Sequence, residues 1–154
     1  MLQRCLFVLN ILVLKDKNEK IIWIKMALNI LIAEDNDFTA LQYNRILEKY
    51  GHKVIVTKDG EECLQRYKDE KKKNEYKMLG KSPFDVVVLD QSMPKKTGKE
   101  VANEILKTTP NQRIIFASAY ALSGENEATE YFKENVEFLQ KPFSLTKLVR
   151  QVGN

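Results

Sequence analysis

The chemistry-bearing residues of this chain fall directly behind short β-rich runs. Glu34 and Asp35 follow Leu28–Ala33, Asp90 follows Phe84–Leu89, Ser118 follows Arg113–Ala117, and Gln140, Lys141 and Pro142 follow Val136–Leu139. Three carboxylates gathered into one small site repel one another, and at least one would have a raised pKa unless a cation neutralised them. A hard, oxygen-seeking Mg²⁺ is the expected solution. A lone aspartate behind a strand ordinarily caps a helix or turn, and a Lys-Pro pair ordinarily marks a loop. Their joint occurrence at several strand ends is what gives these residues chemical meaning.

The elements that must bring them together are legible in the apolar pattern. From Leu28 onward, short β-rich runs alternate with longer segments of helical period, five pairs in all, as expected for a parallel sheet covered on both faces. Leu28–Ala33 is a continuous apolar strand. Phe38, Leu41, Ile46 and Leu47 mark one face of the helix that follows, which stops at Tyr50 and Gly51. Val54–Val56 reads as the second strand, and Asp59 to Glu62 as a capping-box-like start to a helix through Cys63, Leu64 and Tyr67. Val86–Val88 has the composition of a central strand buried on both faces. Thr97 and Glu100 form another capping box, opening a helix that carries Val101, Ile105 and Leu106 and stops before Pro110. Ser123 caps a fourth helix through about Phe132, and Ser144 caps the last. Ligands of a doubly wound sheet bind beyond the carboxyl ends of the strands, where every candidate residue sits.

Over residues 28–153 the chain resembles the receiver domain of two-component response regulators. The resemblance rests on Glu34 and Asp35 after the first strand, the stretch from Val87 through Asp90 to Pro94, Ser118 and Ala119 after the fourth strand, and Lys141, Pro142 and Phe143 after the fifth. It implies a flavodoxin-like (βα)5 sandwich, an α/β fold with a five-stranded parallel sheet in the order 2-1-3-4-5. It implies that Asp90 accepts a phosphoryl group from a histidine kinase or histidine phosphotransfer protein, a transfer that needs positioning and charge neutralisation more than covalent help. Glu34, Asp35, Asp90 and the backbone carbonyl of Ser92 would hold Mg²⁺. Lys141, ahead of a cis bond to Pro142, would pair with a phosphoryl oxygen, and Ser118 would donate a hydrogen bond to the same group. Phe138 takes the place of the aromatic switch, whose ring turns inward as the loop after the fourth strand closes. Such a domain is a phosphoacceptor that promotes its own phosphorylation and dephosphorylation, not an enzyme acting on a separate substrate.

Two positions depart from the family pattern. Glu34 stands where Asp is frequent, and its extra methylene is expected to shift only the metal geometry. Phe138 stands where Tyr is common, so no hydroxyl is available to a partner. Ser92 and Tyr120, two residues beyond Asp90 and Ser118, line the path of hydrolytic water in such domains, and the bulk of Tyr120 is expected to lengthen the life of the acyl phosphate. A phosphatase of the haloacid dehalogenase type also uses an Asp behind an apolar strand, but it needs a second acid two residues on, and Ser92 cannot serve. No phosphate-cradling Gly-Lys loop supports a nucleotide switch. The remaining alternative is a receiver that acts only as a protein-binding scaffold, against which the presence of Asp90, Lys141 and the acidic pair together argues.

A chain of 154 residues with 44% hydrophobic composition fits one domain with a real core. Its net charge of +4 is unevenly placed: residues 66–81 hold seven bases against three acids and residues 1–25 five against two, leaving the remainder at −3. A nucleic-acid surface spread over the domain is therefore not indicated. The lysine-rich stretch 68–81 is expected to be a solvated helix extension. Cys5 and Cys63 offer neither a disulfide framework nor metal-ligand spacing, and a cytoplasmic setting is expected. Cys63 is expected in the core and His52, the sole histidine, at the surface. Residues 1–25 read as a leader. The apolar run Leu6–Leu14 behind Arg4 is too short to span a membrane, no small-residue cleavage site follows, and Met26 directly precedes the first strand. Sequence upstream of a true start at Met26 is the favoured reading, ahead of a peripheral anchor or a secretion signal. The chain ends close behind its last helix, so the expected output is another protein or onward phosphate transfer, with the domain a monomer or a phosphorylation-linked homodimer.

Overall fold

The computed structural model describes residues 11–15, 21–75, 82–119 and 135–154. At its start, β1 (Ile11–Lys15) and β2 (Ile21–Lys25) pair antiparallel as a separate two-stranded sheet, within the segment that the sequence pattern treats as a leader. The main sheet comprises β3 (Asn29–Ala33), β4 (Lys53–Thr57), β5 (Val86–Asp90), β6 (Ile114–Ser118) and β7 (Val136–Gln140). All its pairings are parallel and the order is β4-β3-β5-β6-β7, which is 2-1-3-4-5 counted from β3. The helices are α1 (Asp37–Lys49), α2 (Gly60–Glu75), α3 (Gly98–Thr108) and α4 (Leu145–Gly153). The helix expected after Ser123, and Tyr120 with it, lie outside the described residues.

Alternation along each strand builds two apolar layers. Leu31, Ala33, Val87, Leu89, Ile114 and Phe116 face α2 and α3, where they meet Cys63, Leu64, Tyr67, Val101 and Ile105. Ile30, Ile32, Val86, Val88, Ile115 and Ala117 face the other way, against Tyr43 and Leu47 of α1 and Leu148 and Val152 of α4. Burial of each valine, leucine, isoleucine or phenylalanine among them contributes roughly 1.5–3 kcal/mol, and the double apolar coating explains why β5 reads as an unbroken valine run rather than an alternating one. Cys63 is fully buried in the first layer, and burial pushes its thiol up to about 12, so it is a small core hydrophobe.

Helix starts follow the side-chain chemistry. Asn36 accepts the Thr39 amide at 2.9 Å, and Ser144 accepts the Lys147 amide at 3.1 Å. Thr97 and Glu100 complete the expected capping box, Glu100 N to Thr97 Oγ1 at 3.3 Å and Thr97 N to Glu100 Oε2 at 2.8 Å. Asp59 accepts the Glu62 amide, while Glu62 reaches one residue further back, to the Lys58 amide. The lysine-rich continuation of α2 is helical as far as Glu75, with Lys68, Lys72 and Lys73 exposed.

Two expectations are corrected. The buried face of α1 is Ala40, Tyr43 and Leu47, whereas Phe38 is 70% and Leu41 44% exposed. Spacing of three and four from Tyr43 selects the inner stripe, and Phe38 and Leu41 lie on a different face. His52 is buried, not superficial. Gly51 takes a φ of 87° and turns the chain back sharply, so His52 is carried inward, where its Nδ1 accepts the Leu28 amide at 3.3 Å.

Candidate functional site

At the end of β3 the ladder runs one residue further: the Glu34 amide donates to the Thr57 carbonyl at 3.1 Å. That extension leaves Glu34 only 3% exposed. Its Oε1 accepts the Asn36 amide at 3.3 Å and its Oε2 accepts Lys141 Nζ at 2.9 Å. Asp35, the next residue, is exposed at the mouth.

Asp90 closes β5, opposite Ala117 of β6, and its Oδ1 lies 3.3 Å from Lys141 Nζ. The loop behind it is tied down at several points. Met93 is buried in the α2–α3 layer, the Lys96 amide donates to the Pro94 carbonyl at 2.8 Å, and the Gly98 amide to the Gln91 carbonyl at 3.2 Å. Gly98 rests on the Asp90 backbone so closely that a Cβ there would meet the Asp90 carbonyl oxygen at 2.4 Å. Lys95 adopts a left-handed φ of 65°, which carries its Nζ to 2.6 Å from Asp59 Oδ2. The Glu62 amide and then Lys95 hold the Asp59 carboxyl below its ordinary value.

Lys141 follows β7. Its amide donates to the Ser118 carbonyl at 2.7 Å, and its bond to Pro142 is cis, as the resemblance implies. Burial would lower the pKa of the ammonium, but the Glu34 hydrogen bond and the charges of Glu34 and Asp90 outweigh it and raise the value. One carboxylate oxygen from each of Glu34, Asp35 and Asp90 lies within 4.8 Å of the others. Three carboxylates against one ammonium leave two negative charges unbalanced. Beside them Tyr43 is buried, and desolvation, partly offset by Lys141, pushes its phenol up to about 12, so the ring is neutral at physiological pH.

The structure thus brings together Glu34, Asp35, Asp90 and Lys141 from three strand ends. Ser118 ends β6, 7% exposed and opposite Gln140. Phe138 is 45% exposed, its ring stacked on Phe116 at 5.5 Å. Ser92 is exposed in the bend two residues past Asp90. Sequence reasoning missed Gly98, Tyr43 and the Asp59–Lys95 pair. The glycine alone left a signal, because a helix-opening position inside a capping box ordinarily favours a better helix former, so its presence there points to close backbone approach.

The sequence profile of a family described as the response regulator receiver domain matches residues 30–153. Response regulator RR06 of Streptococcus pneumoniae is 31% identical over 126 residues, covering 81% of this chain and 51% of that protein. The chemotaxis protein CheY of Thermotoga maritima is 29% identical over 130 residues, covering 83% of this chain and 97% of CheY. The aerobic respiration control sensor protein ArcB of Escherichia coli matches at 26% identity, but the chain spans only 15% of it. The chain therefore spans about half the length of the first of these relatives and a small part of the third. Among solved structures, response regulator TrrA of Thermotoga maritima, in complex with Mg²⁺ and BeF, superposes with a TM-score of 0.64 at 26% identity, covering 82% of this chain and 96% of that one.

Proposed function

We propose, from the premise that this chain belongs to the response regulator receiver domain family, that residues 28–153 form a signalling switch phosphorylated on Asp90. Receiver domains are phosphoacceptor switches. The observation that carries the assignment to Asp90 is its place at the end of β5, with its carboxylate among those of Glu34 and Asp35 and in contact with the Lys141 ammonium.

In the proposed step an oxygen of Asp90 attacks the phosphorus of a phosphohistidine in the donor. The P–N bond breaks, an acyl phosphate forms, and the departing imidazole takes up a proton. The donor set fits Mg²⁺: three carboxylates offer hard oxygen atoms within one small site and leave charge for a dication to balance. Glu34, Asp35, Asp90 and the Ser92 carbonyl would hold it, and when bound it supplies neutralisation of the charge on the phosphoryl oxygens. Lys141 moves its ammonium from Glu34 and Asp90 to a phosphoryl oxygen, acting as a point charge. Ser118 donates its hydroxyl to the same group and draws in the loop after β6.

Phe138, half-exposed on Phe116, is the ring that reports this closure by turning inward, so the added negative charge selects between two surfaces around β6 and β7. The donor is a histidine kinase or histidine phosphotransfer protein, and the receiver of the signal is a further protein. Among the described residues no helix is long and apolar enough to cross a membrane. The test is intact-protein mass after incubation with acetyl phosphate and Mg²⁺, for wild type and Asp90→Asn. The expected result is a labile gain of one phosphoryl group in the wild type alone, and only with Mg²⁺. No gain, from acetyl phosphate or from a phosphohistidine donor, would replace the switch by a protein-binding scaffold.

A further inference from the structure

Lys141 carries its charge on a flexible four-carbon stem, so the place of its ammonium depends on how its backbone is held. On one side the backbone is fixed by the Lys141 amide, which donates to the Ser118 carbonyl at 2.7 Å. On the other side it runs through Pro142 to Phe143, whose ring stacks on that of Tyr43 with centroids 5.6 Å apart and planes at 23°. Tyr43 is itself 5% exposed, embedded with Ile30, Ile32, Leu47 and Leu139 in the layer between α1, α4 and the sheet, so its ring is a fixed platform. An open cleft of about 610 Å³ lies between α1 and this loop, bordered by Thr39, Gln42 and Lys141. Tyr43 and Phe143 line that cleft as well, and their stack joins α1 to the loop.

We propose that Tyr43 is a positioning residue for Lys141: its ring face holds Phe143, and through it the loop that aims the ammonium at Asp90. The inference rests on the phosphoacceptor reading above and extends it to a residue on α1. Without the platform the Lys141–Ser118 hydrogen bond becomes a pivot, the loop swings toward the cleft, and the ammonium spends less of its time where a phosphoryl oxygen would meet it. The role belongs to the ring face, not the hydroxyl, so phenylalanine satisfies it and leucine does not, although leucine keeps the layer apolar.

The experiment measures the affinity of the full chain for beryllofluoride, a phosphoryl mimic, at saturating Mg²⁺ by amide NMR. It compares wild type, Tyr43→Phe, Tyr43→Leu, Phe143→Leu and the double leucine variant. Tyr43→Phe stays within about twofold of wild type, each single leucine variant binds about tenfold more weakly, and the double variant is no weaker than the singles, because all remove one shared contact. Leucine variants within about threefold of wild type, a Tyr43→Phe as weak as Tyr43→Leu, or a double variant showing the product of the two single losses would each overturn the proposal. A purely structural Tyr43 lowers the unfolding temperature while leaving beryllofluoride affinity unchanged, which also overturns it. Failure of the phosphoacceptor reading is a different result: the wild type itself then binds no beryllofluoride and gains no phosphoryl mass.

Discussion

Nζ of Lys141 lies 2.9 Å from Oε2 of Glu34, which joins the ends of β7 and β3 across 107 residues of sequence. The ammonium thereby balances part of the charge that a divalent cation would otherwise meet. Replacing it with a neutral side chain of similar length, Lys141→Met, is expected to tighten Mg²⁺ binding by about threefold or more, since like charges a few ångströms apart repel even in a polar site. The same variant should take up the phosphoryl group from acetyl phosphate more slowly than wild type. Calorimetric titration with Mg²⁺ checks the first effect, and an unchanged or weaker affinity would show that Lys141 does not compete for this charge.

Glu100 closes the α3 capping box, and the Thr97 amide and hydroxyl hold its carboxyl below the ordinary value of 4.5. A carboxyl depressed in the folded state contributes stability above its unfolded pKa and loses it as pH falls through the folded one. Wild type is therefore expected to exceed Glu100→Gln in urea midpoint at about pH 6, with the gap closing between about pH 5 and 3. A gap that does not change with pH would mean that the charge contributes nothing.

Arg113 fastens the far end of the sheet. Its Nε lies 2.6 Å from Glu137 Oε1, while Nη1 and Nη2 donate to the carbonyls of Val152 and Gln151 at 2.9 and 2.5 Å. The last carbonyls of α4 have no partner within the helix, so Arg113 is their cap. Arg113→Met should lower the unfolding free energy by about 2 kcal/mol, through the carbonyls and the carboxylate left behind. Urea denaturation decides it, and a loss below about 0.5 kcal/mol would reduce the cluster to a surface ion pair.

Gly98→Ala reverses an ordinary rule. In a helix alanine is favoured over glycine by about 1 kcal/mol, but here the added methyl would press on the Asp90 carbonyl oxygen at 2.4 Å. Backbone cannot yield as a flexible side chain would, so the variant is expected to be less stable than wild type and to take up phosphate on Asp90 more slowly. A gain in thermal stability would show that the loop behind β5 relaxes freely.

Local pattern alone foretold the strands and helices of the main sheet among the described residues and the caps at Thr97 and Ser144, and it named the candidate site residues at the strand ends. Those signals are local: apolar period, cap chemistry, and charge placed directly behind a strand. It did not determine the inner face of α1, because Phe38 and Leu41 are as apolar as the residues that are buried, and only packing against β4 and α4 selects Ala40, Tyr43 and Leu47. Nor did it determine the burial of His52, which depends on the turn at Gly51, or the pressure of Gly98 on Asp90, which depends on a loop folding back. The contact of Lys141 with Glu34 and the stack of Tyr43 on Phe143 were likewise decided by tertiary structure. Each joins segments on different elements, and no periodicity along the chain encodes the distance between two elements that meet only when the sheet is assembled.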